Sequence, residues 1–334
     1  MKHGYQLGLY EKSMPNDLTW AQKLQAAKDA GFDYVEMSVD ESDARLARLD
    51  WTDGERDALR AAMRATGVRI GSICLSGHRK YPLGDPDAAK RERSLEIMEK
   101  AVALAADLGI RTIQLAGYDV YYSEGTAETR RMFSENLAKA AIMAARGGVQ
   151  LGFETMETPF MDTVEKAMHY VAEVDSPYLG VYPDSGNLTN ASLLYGKSVV
   201  DDMETGRGHI VAVHLKETVP GKYREIPFGT GHVDFATITK KAWSLGVSRY
   251  VAELWYKEGT DWQQVITDAA TFQRKYLDAP KMPPTHKTHQ LKQKRRPPTC
   301  YKSRKKSSAA SKNAIRSPRS SIRGRGISSA RRRK

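Results

Sequence analysis

The chain contains little cysteine and no long apolar run. Its 334 residues include two cysteines, Cys74 and Cys300, which cannot form the disulfide framework of a small secreted domain. No apolar stretch approaches the roughly 18 residues that a membrane-spanning helix needs. The opening segment, MKHGYQLGLY, enters a strand pattern at once and lacks the apolar segment of a signal peptide. We therefore expect a reduced, cytoplasmic setting.

Glycine-rich nucleotide-binding loops are also absent. The segment GLYEKSMPND, which follows the start of the first strand candidate, does not match G-x-G-x-x-G, and the chain has no Walker-type P-loop. This absence argues against a doubly wound sheet that binds a dinucleotide.

Acidic residues are missing from one part of the chain. The formal net charge is +12, but residues 281–334 hold 19 of the 52 Lys and Arg residues and no Asp or Glu. The other 33 basic residues share residues 1–280 with all 40 acidic ones, so this larger part is mildly acidic. The two parts need separate explanations.

The basic tail, residues 281–334, is rich in Pro, Ser, Lys and Arg and has almost no aliphatic periodicity. Such a segment cannot bury enough apolar surface to offset its ordering entropy, so we expect disorder. It could bind RNA or DNA phosphates through counterion release. An extension without a selected role, for instance from an altered reading frame, is favoured, because no aromatic stacking platform or nucleic-acid module accompanies the charge.

Residues 1–280 alternate between strand and helix patterns. Eight strand candidates are rich in β-branched and aromatic residues: 5–10, 34–39, 69–75, 112–118, 150–156, 178–184, 210–216 and 250–255. Amphipathic stretches such as RERSLEIMEKAVALAADLG lie between them, and several end in Gly, a helix stop signal. Eight such pairs predict an α/β fold, a (β/α)8 TIM barrel, over residues 1–280.

Four consecutive strand candidates end in or carry an ionisable residue. These are Glu154, Asp184, His214 and Glu253. Taken singly, each has a structural explanation: a solvated or ion-paired Glu, a turn Asp, or a hydrogen-bonded core His. In a barrel, however, the four would converge at the C-terminal ends of the strands, where the carboxylates would repel one another. Three hard oxygens and one nitrogen suit Mn²⁺, Mg²⁺, Co²⁺ or Zn²⁺, so we predict one divalent metal ion.

Asp184 shows how the two explanations differ. It lies in LGVYPDSGN, residues 179–187, where an apolar run gives way to Pro, Ser, Gly and Asn. These neighbours are ordinary turn residues. Turn chemistry does not explain why the adjacent strands also end in Glu154, His214 and Glu253, so Asp184 is interpreted as a ligand.

Long segments of residues 4–278 resemble the bacterial L-ribulose-5-phosphate 3-epimerases, also called L-xylulose-5-phosphate 3-epimerases, of the xylose-isomerase-like barrel superfamily. The segments are GLYEKSMP, GFDYVEMSVDESDARLARLDW, SICLSGHRKYPLG, IQLAGYDVYYSE, YPDSGNL, GHIVAVHLKET and PFGTGHVDF. The resemblance implies a metal held by Glu154, Asp184, His214 and Glu253, the same four residues. It also implies a role in carbohydrate metabolism, including L-ascorbate degradation. The basic tail has no counterpart in the family.

The resemblance implies the reaction as well: inversion of carbon 3 of L-xylulose 5-phosphate to give L-ribulose 5-phosphate. The proton on that carbon is acidified by the neighbouring ketone, and a metal would stabilise the resulting enediolate as a Lewis acid. Inversion requires removal of a proton on one face and its return on the other. Family analogy assigns these catalytic roles to Glu154 and Glu253, without deciding which acts on which face.

Candidate substrate-binding residues lie near the same strand ends. Arg79 and Lys80 follow strand three, and Lys216 should share the strand face of His214; all three are suitable phosphate partners. A solvated loop is the alternative for Arg79 and Lys80. His78 is expected to face the site from the family resemblance. Asn187 either orients substrate or caps a helix.

The remaining polar residues near the site are expected to have other roles. His209 precedes strand seven and is interpreted as structural. Tyr118, Tyr121 and Tyr122 either cover the sugar or pack against a helix, and they are not assigned to the site.

Two other functions remain open. The same barrel could support an aldose–ketose isomerase or another sugar epimerase, and the tail could make the protein a nucleic-acid-binding protein. For the first reading the partner is a small sugar phosphate, with no membrane association. A homodimer is expected from family resemblance alone.

Overall fold

A computed structural model describes residues 4–279, and the predicted tail, 281–334, lies outside the described residues. The described part forms a sheet of eight strands, all paired in parallel. In chain order, strands β1 to β8 are Gln6–Tyr10, Tyr34–Val39, Arg69–Leu75, Thr112–Ala116, Gln150–Glu154, Leu179–Tyr182, Val213–Leu215 and Arg249–Ala252.

The strand order, β6-β5-β4-β3-β2-β1-β8-β7, curls into a nearly closed barrel. The first strand, β1, pairs with both β2 and the last strand, β8. On the opposite side, two isolated parallel bridges, Val181–Ile210 and Asp184–His214, link the β6 and β7 segments. The second bridge already brings two of the predicted metal ligands side by side.

Ten α-helices occur within residues 4–279. Helices α1 to α10 are Trp20–Asp29, Asp43–Leu46, Asp53–Thr66, Ala88–Leu108, Ala127–Gly147, Val164–Val174, Ser185–Tyr195, Val199–Thr205, Phe235–Ser244 and Trp262–Leu277. Two more helices are present than the eight predicted segments. The short helix α2 is an addition after β2, and two helices, α7 and α8, lie between β6 and β7. Within this part of the chain, no helix is long and apolar enough to cross a membrane.

The helix ends carry the signals that the sequence contains. Helices α1, α3 and α5 begin with capping boxes at Thr19, Thr52 and Thr126, which satisfy otherwise unpaired backbone N–H groups. Helices α4 and α5 are followed by Gly109 and Gly148 in the left-handed conformation, which glycine adopts without a steric penalty. These local signals explain why the helices could be predicted from the sequence.

The predicted (β/α)8 barrel is confirmed, and the strand bounds differ mainly at the C-terminal ends. Strands β2 and β3 have the predicted bounds, whereas the predictions for β4 to β8 run beyond the observed ends by one to three residues. Met156 and Asp184 therefore lie in loops just beyond β5 and β6, and Glu253 immediately follows β8. The loops at these ends carry the polar residues, while the largest apolar core packs the strands against the helices, and a smaller apolar cluster includes Tyr34 and Tyr182.

Candidate metal centre and active site

The four predicted ligands converge at the C-terminal ends of β5 to β8. Glu154 is the last residue of β5, Asp184 follows β6, His214 lies in β7, and Glu253 follows β8. Each offers one ligand atom, and these atoms all lie within 4.8 Å of one another. All four side chains are buried. The fold thus brings together residues from four successive strand–loop units in one small volume.

Asp184 has two structural roles. Its Oδ1 atom accepts a hydrogen bond of 2.6 Å from the backbone N–H of Asn187, which makes Asp184 the N-cap of α7. Its own backbone N–H donates to Oγ1 of Thr155, which fixes the chain direction after β6. Its other oxygen, Oδ2, is buried and has no hydrogen-bond partner among residues 4–279. The turn interpretation therefore explains one carboxylate oxygen, and the other is left for a ligand.

His214 lies between carboxylates on both sides of its ring. Its Nε2 atom is 2.6 Å from Oε1 of Glu36, and its Nδ1 atom is 3.0 Å from Oε1 of Glu154 and 3.4 Å from Oε2 of Glu253. The edge-to-face contact with Tyr182, at a centroid distance of 4.9 Å, holds the ring plane. The Nδ1 edge of His214 therefore faces the group of ligand atoms.

Sequence reasoning did not single out Glu36 or Gln114. Glu36 lies inside YVEMSV, the β2 segment, and Gln114 lies in β4, where its side-chain amide donates a hydrogen bond to Oε2 of Glu154. Both are fully buried. The available signal was a polar residue in the middle of an otherwise apolar strand. That signal does not identify the side chain with which the residue makes contact.

The electrostatics of the site reflect crowding of acids in a dry interior. Burial raises the pKa of Asp184 to about 8, although Lys216 acts in the opposite direction. Burial and the charge of Glu253 raise the pKa of Glu154. Burial lowers the pKa of His214, but Glu36, Glu253 and Glu154 together raise it well above its ordinary value. Without a bound cation, the site therefore retains protons on groups that would otherwise be ligands.

Lys216 lies among the ligands. Its Nζ atom is 3.2 Å from Oδ1 of Asp184 and 3.4 Å from Oε2 of Glu253, and the side chain is buried. Burial raises the pKa of Glu253, but the charges of Lys216 and His214 lower it by a larger amount, so the net shift is downward. The predicted face-sharing of Lys216 with His214 agrees with this position. The ammonium group partly neutralises the acids.

The residues present fit a divalent cation. Three carboxylates and one imidazole nitrogen form a hard donor set of the kind that Mn²⁺, Mg²⁺, Co²⁺ and Zn²⁺ accept. Oδ2 of Asp184 is buried without a hydrogen bond within the described residues, and Oε2 of Glu253 has only two longer contacts of 3.4 Å, to Lys216 and His214. Buried oxygens without good hydrogen bonds are costly unless another group binds them. These two oxygen atoms are the structural reason to place an ion here.

A polar cavity opens beside this group of ligands. It is lined by Tyr10, Lys12, Cys74, Ser76, Arg79, Glu154, Met156, Glu157, Asn187, Lys216, Arg224, Glu253 and Trp255. Three of the lining cations come from the loops after β1, β3 and β7: Lys12, Arg79 and Arg224. At the rim, Glu157 accepts hydrogen bonds from Tyr118 at 3.0 Å and from Arg224 at 3.2 Å. The cavity can therefore receive a small, polar and anionic molecule.

Three of the four candidate substrate-binding residues lie at this cavity: Arg79, Asn187 and Lys216. The structure corrects the expectation for His78, which does not line the cavity. Its side chain is buried, its Nε2 atom lies 3.1 Å from the carbonyl oxygen of Ser94, and burial lowers its pKa to about 4. The resemblance identified the loop but not the direction of the ring, which the packing of α4 decides.

The structure also gives the positions of Asn187 and of the remaining polar residues. Asn187 does not cap α7, since Asp184 does; its amide donates to the Thr155 carbonyl, and its Oδ1 is buried without a partner in residues 4–279. Lys80 and His209 are exposed, and His209 is outside the group of ligands. Tyr122 is exposed, while Tyr118 is buried and bonded to Glu157.

Comparisons with known proteins agree with this fold. A family model described as xylose isomerase-like TIM barrel matches residues 24–276. Solved structures with this fold include a D-psicose 3-epimerase, with TM-score 0.67 and 19% identity, covering 82% of this chain and 99% of that one. An L-ribulose 3-epimerase has TM-score 0.64 and 19% identity, covering 82% and 95%. Fold and site together define a xylose isomerase-like barrel.

Sequence relatives narrow this class. The L-ribulose-5-phosphate 3-epimerase UlaE of Escherichia coli O139:H28 is 47% identical over 256 residues, which are 76% of this chain and 89% of the relative. A putative L-ribulose-5-phosphate 3-epimerase UlaE of Shigella dysenteriae serotype 1 has the same identity and coverage. The chain belongs to the L-ribulose-5-phosphate 3-epimerase family, a family of sugar epimerases. The resemblance seen in the sequence is confirmed.

Proposed function

We propose that the chain is a metal-dependent epimerase that inverts carbon 3 of a ketopentose 5-phosphate, interconverting L-xylulose 5-phosphate and L-ribulose 5-phosphate. The observation that carries this proposal is that two buried glutamates, Glu154 and Glu253, line one polar cavity and also belong to a group of possible ligands with Asp184 and His214. The name of the relatives that share 47% identity supports the choice of substrate.

Glu154, Asp184, His214 and Glu253 would hold the divalent cation. When bound, the ion acts as a Lewis acid towards substrate oxygens and so makes the proton on the neighbouring carbon easier to remove. Gln114 donates a hydrogen bond to Oε2 of Glu154, and the other oxygen of Glu154 faces Nδ1 of His214. The orientation of the Glu154 carboxylate is therefore restrained before substrate arrives.

Proton transfer is assigned to the carboxylates of Glu154 and Glu253. Inversion needs one group to accept the carbon 3 proton and a second group to supply a proton on the opposite face. The surroundings of the two glutamates differ: those of Glu154 raise its pKa, whereas Lys216 and His214 produce a net lowering for Glu253. Both carboxylates line the cavity, one at the end of β5 and one after β8, so two acids are available for the two faces of the substrate.

Binding of the substrate phosphate is assigned to the cations that line the cavity away from the ligands. Lys12 and Arg79 project from the loops after β1 and β3. The Nε atom of Arg79 is buried without a hydrogen bond in the described part of the chain. Charge-assisted hydrogen bonds from guanidinium and ammonium groups to phosphate are strong. Asn187 offers its unpaired Oδ1 to a substrate hydroxyl.

Solvent isotope incorporation tests the reaction. In deuterium oxide, turnover of L-xylulose 5-phosphate should place deuterium on carbon 3 of both epimers, and chelation of the metal should abolish incorporation. Incorporation at carbon 1 would instead favour the aldose–ketose isomerase. Full activity of the metal-free protein would overturn the assignment of the cation.

The cellular and assembly assignments are proposals of the same kind. We expect a cytoplasmic enzyme, a homodimer, and a catalytic barrel that ends near residue 280. Size-exclusion chromatography with light scattering measures the oligomeric state, and fractionation of expressing cells measures the location.

A further inference from the structure

Glu36 is a buried carboxylate held by donors from three other strands. It lies in β2 with no solvent exposure. Oε2 accepts hydrogen bonds from Oγ of Ser72 in β3, at 2.6 Å, and from the hydroxyl of Tyr182 in β6, at 3.0 Å. Oε1 is 2.6 Å from Nε2 of His214 in β7. Ser72 lies on the neighbouring strand, whereas the contacts to Tyr182 and His214 cross the inside of the barrel between strands that are not neighbours in the sheet.

The contact between Glu36 and His214 determines where the imidazole proton lies. A carboxylate can only accept hydrogen bonds, so Nε2 of His214 is the donor. In a neutral imidazole, a proton on Nε2 leaves the lone pair on Nδ1. That atom faces Oε1 of Glu154 and Oε2 of Glu253. A lone pair among carboxylate oxygens is repelled by them unless a cation lies between.

A structural role alone accounts poorly for an acid at this position. Burying a carboxylate is costly even when it is hydrogen-bonded, and an apolar or amide side chain would fill the same space at lower cost. The two donors on Oε2 hold the group in place and leave Oε1 directed at His214 alone among the described residues. The acid is placed to act on the imidazole.

We infer that Glu36 is a positioning residue for the metal centre: its Oε1 holds the proton of His214 on Nε2, fixes the ring plane and directs the Nδ1 lone pair at the cation. This inference rests on the proposed metal centre. Carboxylate partners of ligating histidines also raise the basicity of the ligand nitrogen, and their loss commonly weakens metal binding by about 10- to 100-fold.

The test compares metal affinity in full-length variants. Glu36→Gln retains the size and an acceptor oxygen but removes the charge, whereas Glu36→Leu removes the acceptor as well. Ser72→Ala is the matched control, because it removes a hydrogen bond to Oε2 and leaves the bond to His214. Binding of Zn²⁺ is measured by chelator competition, and the absorption spectrum of bound Co²⁺ reports the ligand geometry.

We expect Glu36→Gln to bind Zn²⁺ about tenfold or more weakly, with a shifted Co²⁺ spectrum, and Ser72→Ala to change the affinity by less than about threefold. If Glu36→Leu does not fold, Glu36→Gln alone decides. A loss smaller than tenfold in folded Glu36→Gln, or an equal loss in Ser72→Ala, would overturn the role of Glu36. Failure of the unmodified chain to bind any divalent cation would instead overturn the proposed metal centre.

Discussion

The backbone N–H of Asn187 donates a 2.6 Å hydrogen bond to Oδ1 of Asp184, so one residue both starts α7 and belongs to the group of candidate metal ligands. The two roles use different oxygen atoms, since Oδ2 has no hydrogen-bond partner in residues 4–279. This division allows them to be separated by mutation.

Asp184→Asn should keep the helix cap and lose the metal. Asparagine is as good an N-cap as aspartate, whereas alanine at this position costs about 1 kcal/mol. We therefore expect metal-free Asp184→Asn to be more stable than metal-free Asp184→Ala by about that amount, with metal affinity strongly reduced in both. Urea unfolding measures the first quantity and chelator competition the second. Equal stability of the two variants would contradict the capping role.

Glu154→Gln and Glu253→Gln should each prevent inversion but leave exchange on one face. Removal of a general base typically lowers the rate by about 10²- to 10⁴-fold. At saturating metal, one variant should exchange the carbon 3 proton of L-xylulose 5-phosphate with solvent, and the other that of L-ribulose 5-phosphate. NMR in deuterium oxide measures both. Exchange of both epimers by the same variant would rule out the two-base assignment.

The metal-free protein should lose stability as the pH rises from about 6 to 8. The pKa of Asp184 is about 8, above its ordinary 3.8, and the pKa of His214 lies well above 6.5. Between these limits Asp184 and His214 bind more protons in the folded state than in the unfolded state, so their contribution makes unfolding more favourable as the pH rises. The lowered pKa of His78 acts in the opposite direction, mainly below its ordinary value of 6.5. The opposite shift of Glu253 contributes below pH 4.5, outside this range.

Metal binding should oppose this pH trend, because metal ligands must be deprotonated. The increase in melting temperature caused by Mn²⁺ or Zn²⁺ should therefore be larger at pH 8 than at pH 6. Thermal unfolding followed by circular dichroism, with chelator or with metal, gives the comparison. An increase that shrinks over this range would contradict the protonated state assigned to Asp184 and His214.

Arg79→Gln should weaken binding of phosphorylated substrate selectively. Hydrogen bonds to charged groups contribute about 1.5–3 kcal/mol, which corresponds to a rise in KM on the order of 10- to 100-fold. The KM for unphosphorylated L-xylulose should change little. Lys80→Gln is the control, since Lys80 is the next cation along the chain but is exposed and does not line the cavity. Equal effects on both sugars would remove Arg79 from the phosphate site.

A chain that ends after residue 280 should retain full epimerase activity. Every site residue and all eight strands lie within residues 4–279. If the basic tail binds nucleic acid, truncation should abolish that binding while kcat and the melting temperature stay unchanged. A truncated chain that folds but does not turn over substrate would show that the tail contributes to the enzyme.

Much of the fold was predictable because its signals are local. Capping boxes, terminal glycines and β-branched segments act over a few residues, and strands β2 and β3 were placed with their observed bounds. The pattern predicts the ends of β5 and β6 too far along the chain because Met156 and Asp184 continue an extended pattern beyond the continuous strand pairing. Beyond β6, only an isolated bridge joins Asp184 to His214. The pattern of apolar residues in one strand does not indicate where the neighbouring strand ends.

Two residues show what sequence could not decide about the site. His78 lies in a loop with a strong family resemblance, yet its ring turns into the protein to meet Ser94. Lys216 was expected at the phosphate and lies against Asp184 and Glu253. In both cases the residue type was informative, but the direction of the side chain depends on packing with distant elements.

Local preference and side-chain chemistry are enough to predict the alternation of strands and helices and the residue types that end strands five to eight. The contact between Glu36 and His214, which are 178 residues apart, follows only from the folded barrel. That contact depends on the curvature of the sheet and on the register of strands across the barrel. The alternation of side chains along a single strand contains no information about either.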